Sequence, residues 1–347
     1  MSGSLVIQTS FLGDVILTTP LIAELARRGP VDVLLTPGGA AALANNPHIR
    51  TVIPYDKRGT YGSAQGLWQT VKEIRSRRPY EAAYLAQGSF RSGLLAMMTG
   101  AKQRIGFMSS TGRALYTQQV PYRPDWHHSR RLWSLAVSDG GDPPSRDQLR
   151  PRLYPSDEER HRVDMLLRES GSTDAPFVAL APGSAWGTKR WPYYADLAKR
   201  LAEDFRIAVI GSRADDAFAR EIIDGVPAGS AINGVGLPLL ASAELIGRAQ
   251  AIVTNDSAPQ HLASAMGTPT LTIFGPTVPE FGFGPRRTGD IVLGHEELPC
   301  RPCSKHGPPT CPLGHHRCMR DLSAGDVAAA LARIMGSEEP RAIRSWD

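Results

Sequence analysis

Short apolar runs alternate with stretches of helical periodicity along nearly the whole chain. The run SLVIQT (4–9) predicts a first β-strand, and VILTTPLIAELARR (15–28) predicts the helix after it. The same couplet recurs through the first half. VDVLLT (31–36) precedes GGAAALANN, and TVIPY (51–55) precedes an amphipathic stretch over 62–78. YEAAYLAQ (80–87) precedes SFRSGLLAMM, and QRIGF (103–107) leads through a Gly-containing loop to the helical WHHSRRLWSLAVS. Strand–helix alternation of this kind predicts an α/β class with a mainly parallel sheet covered by helices. The stretch GGDPPSRDQLRPRLYPS (140–156) interrupts it with Gly, Pro and charge, as the approach to an interdomain linker does.

The alternation then restarts. A helix over 157–169 is followed by the strand FVALAPGS, a helix near 192–203 and the strand RIAVIGS. Helices near 214–224 and 238–248 lead to the strand AIVTND, the helix APQHLASAMG and the strand TPTLTIFG. A loop rich in Pro, Cys and His precedes a last helix near 323–335. At 347 residues the chain exceeds the size at which one core keeps growing. We therefore expect two consecutive doubly wound domains, residues 1–155 and 156–335, with a frayed tail over 336–347. Two such domains place a cleft between their sheets. Ligands of open α/β sheets bind outside the carboxyl ends of the strands, so the functional loops should follow VIQT, VALA, AVIG and IVT.

Composition adds limits. The chain is 41% hydrophobic and 21% charged, ordinary values for a soluble globular protein. No apolar run reaches the length that spans a bilayer, and the N-terminus lacks the pattern of a signal peptide, so a cytoplasmic location without a transmembrane segment is expected. The net charge of +5 is uneven: residues 1–150 carry +8 and the remainder −3. A basic first half suits an anionic partner, whether nucleic acid, a membrane surface or an acidic substrate; a basic surface by chance is the plain alternative.

Three loops carry candidate chemistry. In SFLGDVILTTP (10–20) the first strand–helix turn has a single glycine, Gly13, with the carboxylate of Asp14 beside it, where a dinucleotide-binding turn would have Gly-x-Gly-x-x-Gly. In APGSAWGTKRWP (181–192) a Pro-Gly turn brings backbone amides and Ser184 to the sheet edge, with Lys189 in reach as a point charge for phosphate or simply solvated beside Arg190. In TNDSAPQHLASAMGTP (254–269), Asp256 and Ser257 are helix-capping types, Pro259 suits the first turn and Gly267 the C-terminal end. That helix would point its N-terminus at an anion, with His261 able to donate in the first turn. The alternative is a plain cap and a surface imidazole. A weaker signal is VIGSRADD (209–216), where Asp215 or Asp216 can reach ribose hydroxyls. The dinucleotide fingerprint and the phosphate-binding Gly-Lys-Ser/Thr loop are both absent from the sequence, which counts against an NAD-linked oxidoreductase.

Taken in order, GDVILTTPL, APGSAWGTKRWP and NDSAPQHLASAMGTPTLTIFGPT resemble the bacterial ADP-heptose–lipopolysaccharide heptosyltransferases, glycosyltransferase family 9, over nearly the whole chain. The segment LPCRPCSKHGPPTCPLGHHRCMRDL is most similar to the heptosyltransferase II branch. The resemblance implies a GT-B architecture of two Rossmann-like domains facing a central cleft. It also implies an inverting, metal-independent transferase with no required cofactor, whose C-terminal domain holds the sugar nucleotide. Asp14 matches the family's proposed general base. Lys189 and Asp256 match residues that hold the donor's phosphates and sugar, with Ser184, Ser257 and His261 on neighbouring donor positions. An acid in the first turn then has a reason: with the nucleotide held by the other domain, that turn is free to present a base to an acceptor hydroxyl. A carboxylate, with a usual pKa of about 3.9, is ionised for that task at neutral pH; a simple helix cap is the competing reading. The implied acceptor, inner-core lipopolysaccharide, is anionic and membrane-held, which places the enzyme peripherally at the inner face of the inner membrane. Lys57, Arg58, Arg91, Arg104 and Arg113 lie in or beside loops able to face it.

Cys300, Cys303, Cys311 and Cys318 are spaced C-x₂-C-x₇-C-x₆-C among His306, His315 and His316. The spacing suits a closed structural zinc site; free thiols in a Pro-rich loop, or an adventitious disulfide, are the alternatives. Two further readings of the chain stand beside heptosyl transfer. One is a GT-B transferase using another nucleotide sugar. The other is a basic nucleotide- or nucleic-acid-binding module, for which the chain carries no recognised motif, so no nucleic-acid partner is expected.

Overall fold

A computed structural model describes residues 3–56, 63–77, 79–137, 144–172 and 175–336. Two compact units emerge from it. The first comprises Met1–Arg160 with the short segments Pro238–Ala243 and Glu280–Phe283, and the second comprises the rest.

In the first unit the chain runs β1 (Gly3–Gln8), α1 (Leu12–Leu17), α2 (Thr19–Ala26), β2 (Val31–Leu35), α3 (Pro37–Ala42), β3 (Thr51–Pro54) and α4 (Ala64–Arg77). It continues through β4 (Tyr80–Leu85), α5 (Phe90–Met98), β5 (Gln103–Phe107), β6 (Gln118–Val120) and α6 (His128–Trp133). All strands pair in parallel, in the order β3-β2-β1-β4-β5-β6. β2 is buried at every position, the signature of a parallel strand covered on both faces.

The single helix expected over 15–28 is two. Pro20 has no N–H to offer the Ile16 carbonyl, and the Thr19 hydroxyl donates to it instead at 2.8 Å. Thr18, at the break, donates to the Asp14 carbonyl at 2.7 Å and accepts from the Gln8 amide at 3.1 Å. α1 is thereby held as a short separate turn on the end of β1.

The second unit begins with α7 (Asp157–Glu169), which starts in the first unit and crosses over, and continues with β7 (Phe177–Ala181), α8 (Tyr194–Leu201), β8 (Arg206–Gly211), α9 (Asp216–Asp224) and β9 (Ala231–Val235). After α10 (Leu239–Arg248) come β10 (Ile252–Asn255), α11 (Ala258–Met266), β11 (Thr270–Phe274), β12 (Ile291–Gly294), α12 (Arg317–Arg320) and α13 (Ala324–Gly336). Its sheet order is β12-β11-β10-β7-β8-β9, again all parallel. Read from β9, this is the first sheet's order repeated. Each sheet reverses direction once, between β1 and β4 and between β7 and β10. These are the switch points at which doubly wound sheets bind ligands.

The sequence pattern did not mark β6, β9 and β12. All three are sheet edges or next to loops. QQV is polar and half out in water, AINGV carries an Asn and a Gly, and IVLG is only partly buried. An edge strand needs no continuous apolar run, so its signal is weak.

The least expected residue in the first core is Asp32, inside the strand VDVLL and fully buried. Arg50 closes on it as a fork, Nε to Oδ1 at 2.9 Å and Nη2 to Oδ2 at 2.5 Å, and the Tyr80 hydroxyl adds a bond of 2.6 Å. Burial pushes the Asp32 carboxyl up, but the Arg50 and Tyr80 bonds together outweigh it and hold the group below its usual value. Because the folded pKa is depressed, this stabilisation is present above the unfolded carboxylate pKa of about 3.9 and is lost as pH falls through the folded value. Asp32→Ala leaves the buried Tyr80 hydroxyl without its acceptor, whereas Arg50 already reaches water, and we expect it to cost about 2 kcal/mol in urea unfolding at pH 7. The deficit should hold level down to about pH 5 and shrink as the titration is repeated below about pH 4.

Candidate active site

In the second unit, the loops after β7 and β10 meet at the switch point. Asn255, fully buried at the end of β10, joins them: its amide donates to the Pro182 carbonyl at 2.9 Å and its oxygen accepts from the Trp191 N–H at 3.2 Å. The β7 loop then forms a single 3₁₀ turn, Gly187–Lys189, which turns Lys189 inward. Lys189 Nζ donates to Asp256 Oδ2 at 2.6 Å and to the Asp256 carbonyl at 3.2 Å. The Thr277 hydroxyl donates to the same Oδ2 at 2.6 Å. Lys189 and Asp256 are 8% and 9% exposed, so this is a buried ion pair and neither a solvated lysine nor a capping aspartate.

Ser257 is the residue before α11, yet its side chain caps no amide of that helix; its hydroxyl reaches toward the Gly183 carbonyl at 3.4 Å. The nine-residue helix α11 therefore has no side-chain cap: Pro259 has no N–H, the Gln260 N–H donates to the Ser257 carbonyl at 3.2 Å, and the helix ends at Gly267 in the left-handed conformation. His261 is buried in its first turn. Ser184 is also buried, its hydroxyl accepting from the Trp186 N–H at 3.3 Å while its carbonyl accepts from Arg190 at 2.9 Å. Asp215 caps its own turn through Ser212, and Asp216 pairs with Arg220 on α9.

At the switch point of the first unit, Asp14 lies in α1, directly after β1. His128, the first residue of α6, places Nε2 3.3 Å from Asp14 Oδ1. Its ring packs on Phe283 with centroids 4.8 Å apart, and its backbone N–H donates to the Gly282 carbonyl at 2.8 Å. Arg131, 2% exposed, fastens that segment by donating to the carbonyls of Phe281 at 3.0 Å and Arg123 at 2.7 Å. Sequence reasoning missed His128; the only signal was its place in WHHSRRLW, read there as helix alone.

The basic residues separate. Arg91 is on α5, after β4, with Nε on the Tyr55 hydroxyl at 2.7 Å. Arg113 is in the exposed turn after β5. Arg104 is at the opposite, amino end of β5, its guanidinium donating to the carbonyls of Leu115 and Ala101 at 2.8 and 3.2 Å. Lys57 and Arg58 lie outside the described residues, as does the tail beyond Gly336.

The four cysteines are free, and among the described residues no three His, Cys, Asp or Glu side chains are arranged to hold a metal ion. Cys318 is buried in the apolar core with Met319, whereas Cys303 is exposed and turns its thiol to the Cys300 carbonyl at 3.4 Å. Burial and the neighbouring thiols push Cys303 up and Cys318 to about 11, while at Cys311 burial is outweighed by the surrounding backbone N–H groups, which hold its thiol below the usual value, so the four thiols lie near enough to feel one another.

Residues 67–312 match the family model for glycosyltransferase family 9 (heptosyltransferase). The chain is 29% identical over 326 residues to lipopolysaccharide heptosyltransferase 2 of Escherichia coli K12, covering 84% of this chain and 92% of that protein. It is likewise 29% identical over 330 residues to lipopolysaccharide heptosyltransferase 1 of Pseudomonas aeruginosa, covering 87% and 86%. Among solved structures, E. coli ADP-heptose lps heptosyltransferase II superposes with a TM-score of 0.78 at 25% identity, over 96% of this chain and 98% of that one. A glycosyl transferase family 9 protein from Veillonella parvula superposes with a TM-score of 0.83 at 22% identity, over 96% and 97%. The two doubly wound units are thus those of the GT-B architecture.

The 3₁₀ turn that carries Lys189 depends on Gly187, because a Cβ there would run into the Pro309 carbonyl oxygen. Overpacking against a backbone atom costs about 1–3 kcal/mol. Gly187→Ala should therefore lower the melting temperature measured by calorimetry, whereas Gly38→Ala, with open space around it and an ordinary φ, should not.

Proposed function

Because the chain belongs to glycosyltransferase family 9, the heptosyltransferase family, we propose that it moves heptose from ADP-heptose to the inner core of lipopolysaccharide, adding the second heptose. The observation that carries this reading is the placement of the motifs. Asp14 stands at one switch point, and Lys189, Asp256 and the N-terminus of α11 stand at the other.

In the proposed reaction Asp14 accepts the proton of the acceptor hydroxyl as that oxygen attacks the anomeric carbon, opposite the departing ADP, so the configuration inverts. His128 orients the Asp14 carboxylate. The diphosphate gains negative charge as the bond to the sugar breaks. Lys189 and the positive end of the α11 dipole neutralise it, and no metal takes part. Asp256 keeps the Lys189 ammonium aimed and accepts hydrogen bonds from the sugar, with Ser184, Ser257 and His261 completing the donor site.

On the acceptor side the carboxyl edge of the first sheet offers Arg91 and Arg113, and the engagement of Arg104 at the other edge leaves it out of the set. The same edge exposes Phe11, Phe90 and Met108, each more than half accessible. Cations beside exposed apolar side chains suit an anionic amphiphile. Among the described residues no helix is long and apolar enough to cross a membrane. We accordingly place the enzyme at the cytoplasmic membrane surface, working on a membrane-held acceptor.

The test is ADP release from ADP-heptose with acceptors bearing zero, one or two heptoses. Release with the singly heptosylated core alone supports the assignment; ADP binding without release on any acceptor rejects the heptose donor. A positioned base contributes about 10²–10⁴ in rate. Asp14→Asn should lose turnover on that scale while binding ADP as the wild type does, and near-normal turnover would remove Asp14 from the mechanism. Turnover should also persist after exhaustive EDTA treatment; its loss, restored by a divalent ion, would contradict a metal-free transfer.

A further inference from the structure

The Pro-, Cys- and His-rich loop between β12 and α12 belongs to none of the roles above, yet it touches both arms of the Lys189–Asp256 cluster. On one arm, His316 Nε2 lies 2.8 Å from the carbonyl of Thr188, the residue before Lys189. A carbonyl can only accept, so Nε2 carries the hydrogen. The Thr188 hydroxyl donates in turn to the Pro308 carbonyl, and Gly187 passes under Pro309 too closely for any side chain. His316 is also the one described non-glycine residue with positive φ, at 49°, a conformation that costs free energy and persists only where the surroundings impose it.

On the other arm, Arg301 donates to four backbone carbonyls: Gly275 at 2.5 Å, Phe274 and Thr277 each at 3.0 Å, and His295. Thr277 is the residue whose hydroxyl holds Asp256. Between the two arms, the Cys303 N–H donates to the Pro276 carbonyl at 2.8 Å. Gly307, at a φ of 80°, leaves room for Pro276, Thr188 and the Lys189 stem to close around it.

We propose that this loop is the brace of the donor site, with His316 and Arg301 as its positioning residues: His316 sets Lys189 through the Thr188 carbonyl, and Arg301 sets Asp256 through Thr277. Each fixes the backbone from which one partner extends, so the ammonium and carboxylate are held before any ligand arrives. The value of the brace for catalysis rests on the donor-site reading above; its effect on Lys189 does not.

The experiment separates the two. The rate at which Lys189 is acetylated by acetic anhydride is followed by mass spectrometry in the ligand-free protein, with exposed Lys102 as internal reference. His316→Asn retains a residue tolerant of positive φ but lacks the reach to Thr188, and Arg301→Lys keeps the charge but loses the fork. One lost hydrogen bond is worth up to about a factor of ten in a local opening equilibrium. We expect Lys189 labelling to rise about tenfold in either variant, with Lys102 unchanged and amide exchange in β7 and β10 as protected as in the wild type. In turnover, the KM for ADP-heptose should rise while the KM for acceptor holds. Unchanged Lys189 labelling in a folded His316→Asn protein overturns the proposal, as does a rise matched by lost protection throughout β7 and β10. Should Arg301→Lys fail to fold, His316→Asn decides alone. If the wild type releases no ADP from ADP-heptose, the functional reading fails, and the labelling still decides the brace.

Discussion

Burying Lys189 and Asp256 together is the constraint around which the second unit is arranged. Removing two charges from water costs several kcal/mol for each ion, and only close geometry with further hydrogen bonds offsets that. The structure supplies both: a 2.6 Å contact, a second bond to the Asp256 carbonyl, and the Thr277 hydroxyl on the same carboxylate oxygen. Holding those groups requires three chain segments to meet, after β7, β10 and β11. Much of what surrounds them serves that meeting, from the Asn255 amide on the Pro182 carbonyl to the Arg301 fork on the β11 loop. Under the proposed function, a pre-formed pair of this kind would need little rearrangement to receive the donor's diphosphate, which is how electrostatic preorganisation lowers a barrier.

The segments meet because of strand order. In both sheets the chain starts in the middle, builds outward on one side, then returns to build on the other. The helices after the two central strands consequently leave on opposite faces, and the gap between their first turns is where a ligand fits. Asp14 uses that gap in one unit, and Lys189 and α11 use it in the other. The first unit also contains a buried guanidinium and a buried carboxylate with purely architectural tasks. Arg131 fastens the segment on which His128 packs, and Asp32 ties Arg50 and Tyr80 at the amino end of its sheet, away from the chemistry.

The cysteine-rich loop shows what spacing leaves open. C-x₂-C within a dense cluster of thiols and imidazoles is the usual sign of a metal, but it says nothing of the loop's other contacts. Cys318 joins the apolar core, His316 turns its ring to the Thr188 carbonyl, and the loop's carbonyls and glycines pack under the Lys189 turn. Ligand spacing constrains which side chains can meet; it does not say which surface the loop lies against.

By itself the sequence determined the class of fold and the central strands, because parallel strands covered on both faces must be continuous apolar runs such as VDVLL, FVALA and TLTIF. It also singled out Asp14, Lys189 and Asp256, which lie in the segments that follow such strands. Only the tertiary structure decided the rest. The edge strands β6, β9 and β12 carry no continuous apolar run because water covers part of them. That Lys189 faces Asp256, that His128 reaches Asp14 across more than a hundred residues of chain, and that Arg104 belongs to the far edge all depend on strand order and loop packing. Periodicity is a local property of the chain, and none of these contacts is local.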